Sequence, residues 1–212
     1  GSHGGLSVGE DGATHQCIED FSLMRTIPGM TVLCPCDAHE MTLAVEALLQ
    51  YEGPAYMRLG RSAVETVTDS IPGYHFQLGK GVTLRDGKDV TIIASGILVD
   101  EALKAEEMLA AKGISARVID MHTWKPLDEE LVLRAAAETG CIVTAENHQV
   151  GTGLGSAITN LTSAKNPVPV ERIGIQNRFG QVGPQDFLMQ QYNLTAEDIA
   201  AAALRAIARK QG

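Results

Sequence analysis

The chain lacks any run of about 18 apolar residues, so no transmembrane helix is expected. Its start carries neither a charged leader nor an apolar stretch behind one, and so shows no sign of secretion. Positive charge is scarce. Seventeen Lys and Arg against 26 Asp and Glu leave a formal charge of −9. Such a surface gains nothing from nucleic acid or anionic membrane, so neither is an expected partner, and a local basic pocket for a small phosphate stays open. Cysteine is also sparse, with Cys17, Cys34, Cys36 and Cys141 as the full set. Cys34-Pro35-Cys36 lacks the Cys-x-x-Cys spacing of zinc or redox centres. Buried free thiols in a reducing, cytoplasmic setting are the expectation, with no metal ligands. There is no internal repeat and no low-complexity tract.

What is present suffices for a core. The 212 residues are 44% hydrophobic and 20% charged, enough for one large domain or two modest ones. From Asp89 onward the pattern alternates. Val90–Ala94 is a short β-branched run of the kind buried on both faces of a sheet. Leu98, Ala102, Ala105 and Leu109 follow at helical spacing, stopped by Lys112-Gly113. Ala116–Ile119 reads as the next strand and Asp128 as the cap of a helix closed by Gly140. Cys141–Thr144 is a third strand, a helix runs to about Ala164, and Val168–Ile173 is a fourth. Thr195 with Asp198 forms a capping box for a last helix that turns Ile199, Ala203 and Ile207 inward. This alternation predicts an α/β fold, a mostly parallel sheet covered on both faces in three layers.

The front part reads as a loop, a helix over about Cys17–Thr26, a strand at Thr31–Cys34, a helix from Asp37 to Tyr51 and a strand at Ala55–Leu59. Asp37 with Glu40 caps the second helix, whose Met41, Val45 and Leu48 form one stripe. Two strands cannot satisfy both edges of a sheet, so preceding strands are expected upstream of Gly1. Gly1-Ser2-His3 reads either as an expression remnant or as native sequence. The expected division is an incomplete first domain at 1–61, a linker at 62–88 and a three-layer domain at 89–212. Within the linker, Phe76 and Leu78 suggest an edge strand.

Candidate chemistry gathers at predicted strand ends, where ligands of open parallel sheets sit. Asp11, in a Gly-Glu-Asp-Gly loop, and His15 beyond it are by themselves no more than turn and cap residues. Arg58 and Arg61 flank Leu59-Gly60 at the end of a strand and could grip a phosphate in bidentate fashion; solvated charge is the equal alternative. Gly151-Thr152-Gly153-Leu154-Gly155 imitates a dinucleotide fingerprint, but Ser156 stands where the last glycine belongs and no acid is placed for a ribose. Close helix-strand packing accounts for it better. Glu146, His148 and Met121–Pro126 occupy comparable strand ends and are expected at an interface, with His39 and His75 in solvent.

The Gly9-Glu10-Asp11-Gly12 loop with Thr14-His15-Gln16, the Arg58-Leu59-Gly60-Arg61 step and His122-Thr123 through Lys125-Pro126-Leu127 together resemble the C-terminal half of transketolase. The resemblance covers essentially the whole chain and is nearest the C-terminal subunit of split transketolases. It implies a partial pyrimidine-binding domain followed by the transketolase C-terminal domain. It further implies transfer of a two-carbon ketol unit between phosphosugars with thiamine diphosphate. Asp11 would then contact a hydroxyl of the donor, Arg61 and His3 its phosphate, and His15 would line the cofactor pocket as the catalytic residue. Arg58 receives no role. Diphosphate and Mg2+ would be bound outside this chain, by an N-terminal subunit, and no Gly-Asp-Gly metal motif occurs in it. The family's glutamate that protonates the pyrimidine is expected upstream of Gly1, since no Ile-Ala-Glu-Gln-like motif occurs in these residues. The chain is therefore expected to be inactive without that upstream segment and the N-terminal subunit, and a homodimer through the C-terminal domain is expected. The competing expectations are a noncatalytic dimerisation fragment, or a piece of a deoxyxylulose-phosphate synthase or a 2-oxo acid dehydrogenase beta subunit.

Overall fold

The computed structural model describes residues 2–211. Two sheets carry the chain. The first contains β1 (Ser2–His3), β2 (Thr31–Leu33) and β3 (Ala55–Leu59), all parallel, in the order β1-β3-β2. Its fourth strand comes from far along the sequence. Thr123–Lys125 (β7) pairs antiparallel with β2, setting Leu33 against Thr123 and Val32 against Lys125. One edge left bare by the front segment is thus covered by the rear one.

The second sheet has the order β4-β6-β5-β8-β9. These strands are Val82–Arg85 (β4), Val90–Ala94 (β5), Ala116–Asp120 (β6), Ile142–Gln149 (β8) and Val170–Ile175 (β9). All neighbours are parallel except β4, which runs antiparallel at one edge. Every residue of β5 is buried, as its unbroken apolar run requires when helices cover both faces. Leu98–Ala110 (α3) and Ala196–Gln211 (α7) pack on one face through Leu98, Ala102, Leu109, Ile199 and Ala203, against Ile92 and Val143. Glu129–Thr139 (α4) and Leu154–Lys165 (α5) pack on the other through Leu131, Val132, Leu154 and Ile158, against Ile93 and Ile142. Three layers result, as the alternation predicts.

Two shorter helices complete the first sheet. Asp20–Thr26 (α1) buries Phe21 against Val32 and Trp124, and Ala38–Leu49 (α2) lays Ala44, Leu43 and Leu48 on Leu33 and Met57. The Asp37 side chain accepts from the backbone N–H of Glu40 at 2.8 Å and caps α2, as its spacing foretells. A last short helix, Gln185–Gln191 (α6), sits between β9 and α7.

Several local readings need correction. The first helix begins at Asp20, because the carbonyls of Cys17 and Ile18 are taken by the Gly5 N–H at 2.7 Å and the Gln149 N–H at 3.0 Å. Phe76 and Leu78 form no strand and instead cover α2, while the edge strand falls on Val82–Arg85. His39 is half-buried beside Thr68, with Nδ1 2.9 Å from its hydroxyl, so it is not in solvent.

Candidate active site

Strand β1 lies beside β3 with His3 opposite Leu59, so His3, Gly60 and Arg61 leave the sheet at the same carboxyl ends. Beyond His3 the backbone turns at Gly5 (φ 71°) into two tight turns over Leu6–Asp11, joined by a kink at Gly9 (φ 66°) and closed by Gly12 (φ 77°). A side chain at Gly9 or Gly12 would have to adopt left-handed backbone, so glycine is what lets this loop fold back. The kink pushes Glu10 and Asp11 outward while Leu6 and Val8 stay buried.

Across this turn the Arg61 guanidinium meets the Asp11 carboxylate and donates to the Val8 carbonyl at 3.4 Å. Both side chains are about half exposed, at 47% and 39%, so water and ligands reach them. They sit in an open groove of about 330 Å³, floored by Ser7–Glu10 and walled on the far side by Pro184 and Gln185 of the second unit. Asp11 and Arg61, 50 residues apart, therefore share one groove. His15 is on the same loop and exposed, its Nδ1 2.9 Å from the Thr14 hydroxyl, but it does not line this groove. His3 is exposed at the strand end next to Leu59.

Arg58 has a different fate. It is 3% exposed, with Nε donating to Asp20 Oδ2 at 2.9 Å and a second nitrogen to Oδ1. Its remaining donors reach the carbonyls of Asn147 (2.6 Å) and Cys17 (2.9 Å), and the guanidinium lies 4.3 Å from the centre of the Phe21 ring. Tyr56 donates to the same carboxylate at 2.6 Å. Burial pushes the Asp20 carboxyl up, but the Arg58 hydrogen bonds and charge outweigh it and hold the group below its ordinary range. Neither phosphate ligand nor solvated charge, Arg58 joins β3, α1 and β8.

The glycine run before α5 is packing, as its spacing suggests. A Cβ on Gly153 would fall 1.7 Å from Glu146 Oε2, and one on Gly155 2.6 Å from Thr144 Oγ1. That closeness lets the Glu146 carboxylate accept the first N–H groups of α5, from Leu154 and Gly155, both at 2.8 Å. Burial pushes Glu146 up to about 7, opposed by these two donors. Burial, helped by the Arg58 charge, pushes His148 down to about 4. At neutral pH His148 is thus uncharged; its Nδ1–H donates to the Gln149 carbonyl at 2.9 Å, leaving Nε2 to accept from the Ser22 N–H at 3.4 Å. Arg25 donates to the carbonyls of Thr152 and Gly153, and Lys125 to those of Arg25 and Ile27. His148, His122 and Thr123–Lys125 therefore do lie at the contact between the two units, whereas Glu146 is taken up by α5.

Sequence reasoning missed Asp20, Asn147, Pro184 and Gln185. No motif flags them, since each acts through a partner far away in the chain. Gln16 stands inside the loop motif, yet the motif alone gives it no role.

The carboxyl ends of parallel strands in this α/β protein thus carry a glycine-hinged acid and an exposed arginine in one groove. The model of the transketolase pyrimidine-binding domain matches residues 1–66, and that of the transketolase C-terminal domain matches 79–199. The chain is 46% identical over 210 residues to the 6-deoxy-6-sulfo-D-fructose transketolase subunit SqwH of Clostridium sp. (strain MSTE9), covering 99% of this chain and 65% of that protein. It is 43% identical over 204 residues to an apulose-4-phosphate transketolase subunit of Phocaeicola vulgatus, covering 96% and 65%. A solved split-gene transketolase, described as an inactive β4 tetramer, superposes with a TM-score of 0.88 at 44% identity, covering 99% of this chain and 65% of that one. The chain belongs to the transketolase family and corresponds to the C-terminal subunit of split transketolases. It spans about 65% of the length of these relatives.

Proposed function

We propose that this chain forms part of a thiamine-diphosphate-dependent transketolase that moves a two-carbon ketol unit between anionic sugars, in concert with a diphosphate-binding subunit. The single observation carrying this reading is the convergence of Asp11 and Arg61 in one open groove at the carboxyl ends of parallel strands. An acid that accepts from sugar hydroxyls beside a planar cation that takes an anionic tail is a pair suited to a phosphosugar. The two satisfy each other's charge across the groove. A donor would part them, its hydroxyl replacing the guanidinium at Asp11 and its phosphate replacing the carboxylate at Arg61. His3, at the neighbouring strand end, would add a second contact to the phosphate.

The residues fit the pyrimidine side of a thiamine diphosphate site and not the diphosphate side. Among the described residues, one group of His, Cys, Asp or Glu side chains comes close enough to hold a metal ion, namely Cys36, Glu40 and Asp120, and all three are buried away from any phosphate. In this reading metal and diphosphate are held by the partner subunit. Thiamine diphosphate supplies the carbanion chemistry of such enzymes when bound. His15, exposed on the loop, would face the pyrimidine and relay protons at the reacting sugar oxygen, work for which an imidazole is suited near neutral pH. Arg61 fixes the far end of the sugar, so that remote binding orients the reacting carbonyl.

The relatives act on different sugars, one a sulfosugar and one apulose 4-phosphate by their names, so the anionic tail is the shared feature and the carbon skeleton is open. The test is to mix the chain, restored to the full length of its split-transketolase relatives, with a diphosphate-binding transketolase subunit, thiamine diphosphate and Mg2+. Ketol transfer to ribose 5-phosphate is then assayed from xylulose 5-phosphate, 6-deoxy-6-sulfofructose and apulose 4-phosphate. Transfer by the mixture and by neither subunit alone is the expected result. No transfer from any donor by a mixture that forms a stable complex would overturn the proposal.

A further inference from the structure

The C-terminal unit reaches into the groove, and one side chain makes the connection. Gln16 is 4% exposed and lies between the two units. Its Nε2 donates to the Gly9 carbonyl at 3.1 Å and to the Gln181 carbonyl at 2.9 Å. Both neighbours are acceptors, so the nitrogen of the carboxamide must face them and both of its hydrogens are used. Its Oε1 is shut from solvent with no donor facing it, so the amide is held here by its two N–H groups. Gly9 is the kinked residue that aims the Glu10-Asp11 turn outward.

The segment meeting Gln16 is shaped to do so. A Cβ on Gly180 would fall 2.0 Å from Gln16 Oε1, so only glycine lets this stretch lie against the carboxamide undisturbed. Two residues on, Val182 fills the space beside Gly12, where an added Cβ would come within 2.7 Å of it. Leu6 and Ile18, at the two ends of the loop, share one apolar cluster with Leu188 and Met189. Pro184 then forms the far wall of the groove that holds Asp11 and Arg61.

We infer that Gln16 is a positioning residue for the sugar donor, locking the Gly9–Gly12 loop to the Gly180–Pro184 segment and making the C-terminal unit a structural part of the donor site. This rests on the transketolase reading above. Without the clamp the Gly9 kink is free to relax and Asp11 loses its fixed distance from Arg61. The cost falls on sugar binding, since the groove grips a sugar through both groups at once.

The test uses three variants of the full chain, each completed with the diphosphate-binding subunit. Gln16→Met keeps length and removes both donors; Gln16→Glu points oxygens at two carbonyls; Gly180→Ala displaces the carboxamide from the opposite unit. The Gly180 backbone is not in the left-handed region, so alanine there acts through its contact with the carboxamide and not through backbone strain. The donor KM is expected to rise roughly tenfold in Gln16→Met and Gly180→Ala, as the loss of one to two net hydrogen bonds implies. Gln16→Glu should lose more, and kcat should move less than KM in all three variants. Amide exchange at residues 9–16 of the chain should quicken in the same variants. An unchanged donor KM, or unaltered exchange at 9–16 in Gln16→Met, would reduce Gln16 to core filling and overturn the inference. An unmutated assembly with no ketol transfer would instead remove the functional reading and this role with it, so the two failures are told apart.

Discussion

Replacing Arg58 by methionine should be the most damaging single change at the junction of the two units. The side chain is 3% exposed and its partner Asp20 4% exposed, so neither charge can turn to water when the other is removed. Arg58→Met strands the Asp20 carboxylate with the Tyr56 hydroxyl as its remaining side-chain donor and leaves the Asn147 and Cys17 carbonyls without their guanidinium partner. Breaking a buried pair from one side costs about 3–5 kcal/mol. In a chain of this length that lowers the melting temperature by on the order of 10 °C. Thermal and urea unfolding at pH 7 measure it directly. In the unmutated protein the depressed Asp20 pKa adds stability above the unfolded carboxyl pKa, and that stability is lost as pH falls through the folded value. In Arg58→Met, burial acts unopposed, the carboxyl pKa rises, and the variant should regain stability on mild acidification. The double variant Asp20→Leu with Arg58→Met removes the stranded charge and should recover most of the loss. A single-variant cost below about 1 kcal/mol, or simple additivity in the double, would refute the reasoning.

Arg61→Ala, by contrast, should leave stability within about 1 kcal/mol, because an exposed pair contributes little. In the completed enzyme it should raise the donor KM for phosphorylated sugars on the order of tenfold, the loss of one charge-assisted contact, while an equal effect on unphosphorylated sugars would contradict a phosphate role. His15→Ala should lower kcat by roughly a hundredfold or more with little change in donor KM, and unchanged turnover would remove it as a proton relay. Asp120 is fully buried with both carboxyl oxygens lacking a hydrogen-bond donor; burial first, then the nearby Glu40 charge, hold it protonated well above the usual range. A raised folded pKa gives stability that is complete below the unfolded pKa and drains away as pH rises toward the folded one. Asp120→Asn should therefore gain stability relative to the parent, by about 1.4 kcal/mol for each pH unit above the unfolded carboxyl pKa, as read from melting temperature across pH 5–8. A pH-independent difference would show that Asp120 is ionised in the fold.

The chain order of strands and helices after Asp89, the caps at Asp37 and Asp128, and the burial of Val90–Ala94 were legible from spacing alone, because each depends on residues within a few positions. Asp128 does accept from the Leu131 N–H at 3.1 Å, and Asp37 from Glu40 at 2.8 Å. Asp11 and Arg61 were singled out by motif and strand end, and the fold brings them together. Arg58, three positions from Arg61 and of the same residue type, could not be told apart from it. Only the packing of α1 under β3 decides that one guanidinium is buried against Asp20 and the other reaches solvent.

What the sequence determined by itself was local: the period of each segment, its caps, its breaks at glycine, and hence a parallel α/β architecture with polar loops at its strand ends. Tertiary structure alone decided everything that joins distant segments. It placed Thr123–Lys125 as a strand of the front sheet, laid Gln181 against Gln16, and made Glu146 the cap of α5 rather than a group in a ligand site. The physical reason is that periodicity and capping are set by neighbours in the chain. The burial of a charge, or the partner of an orphan backbone group, is set by whichever element the fold brings alongside.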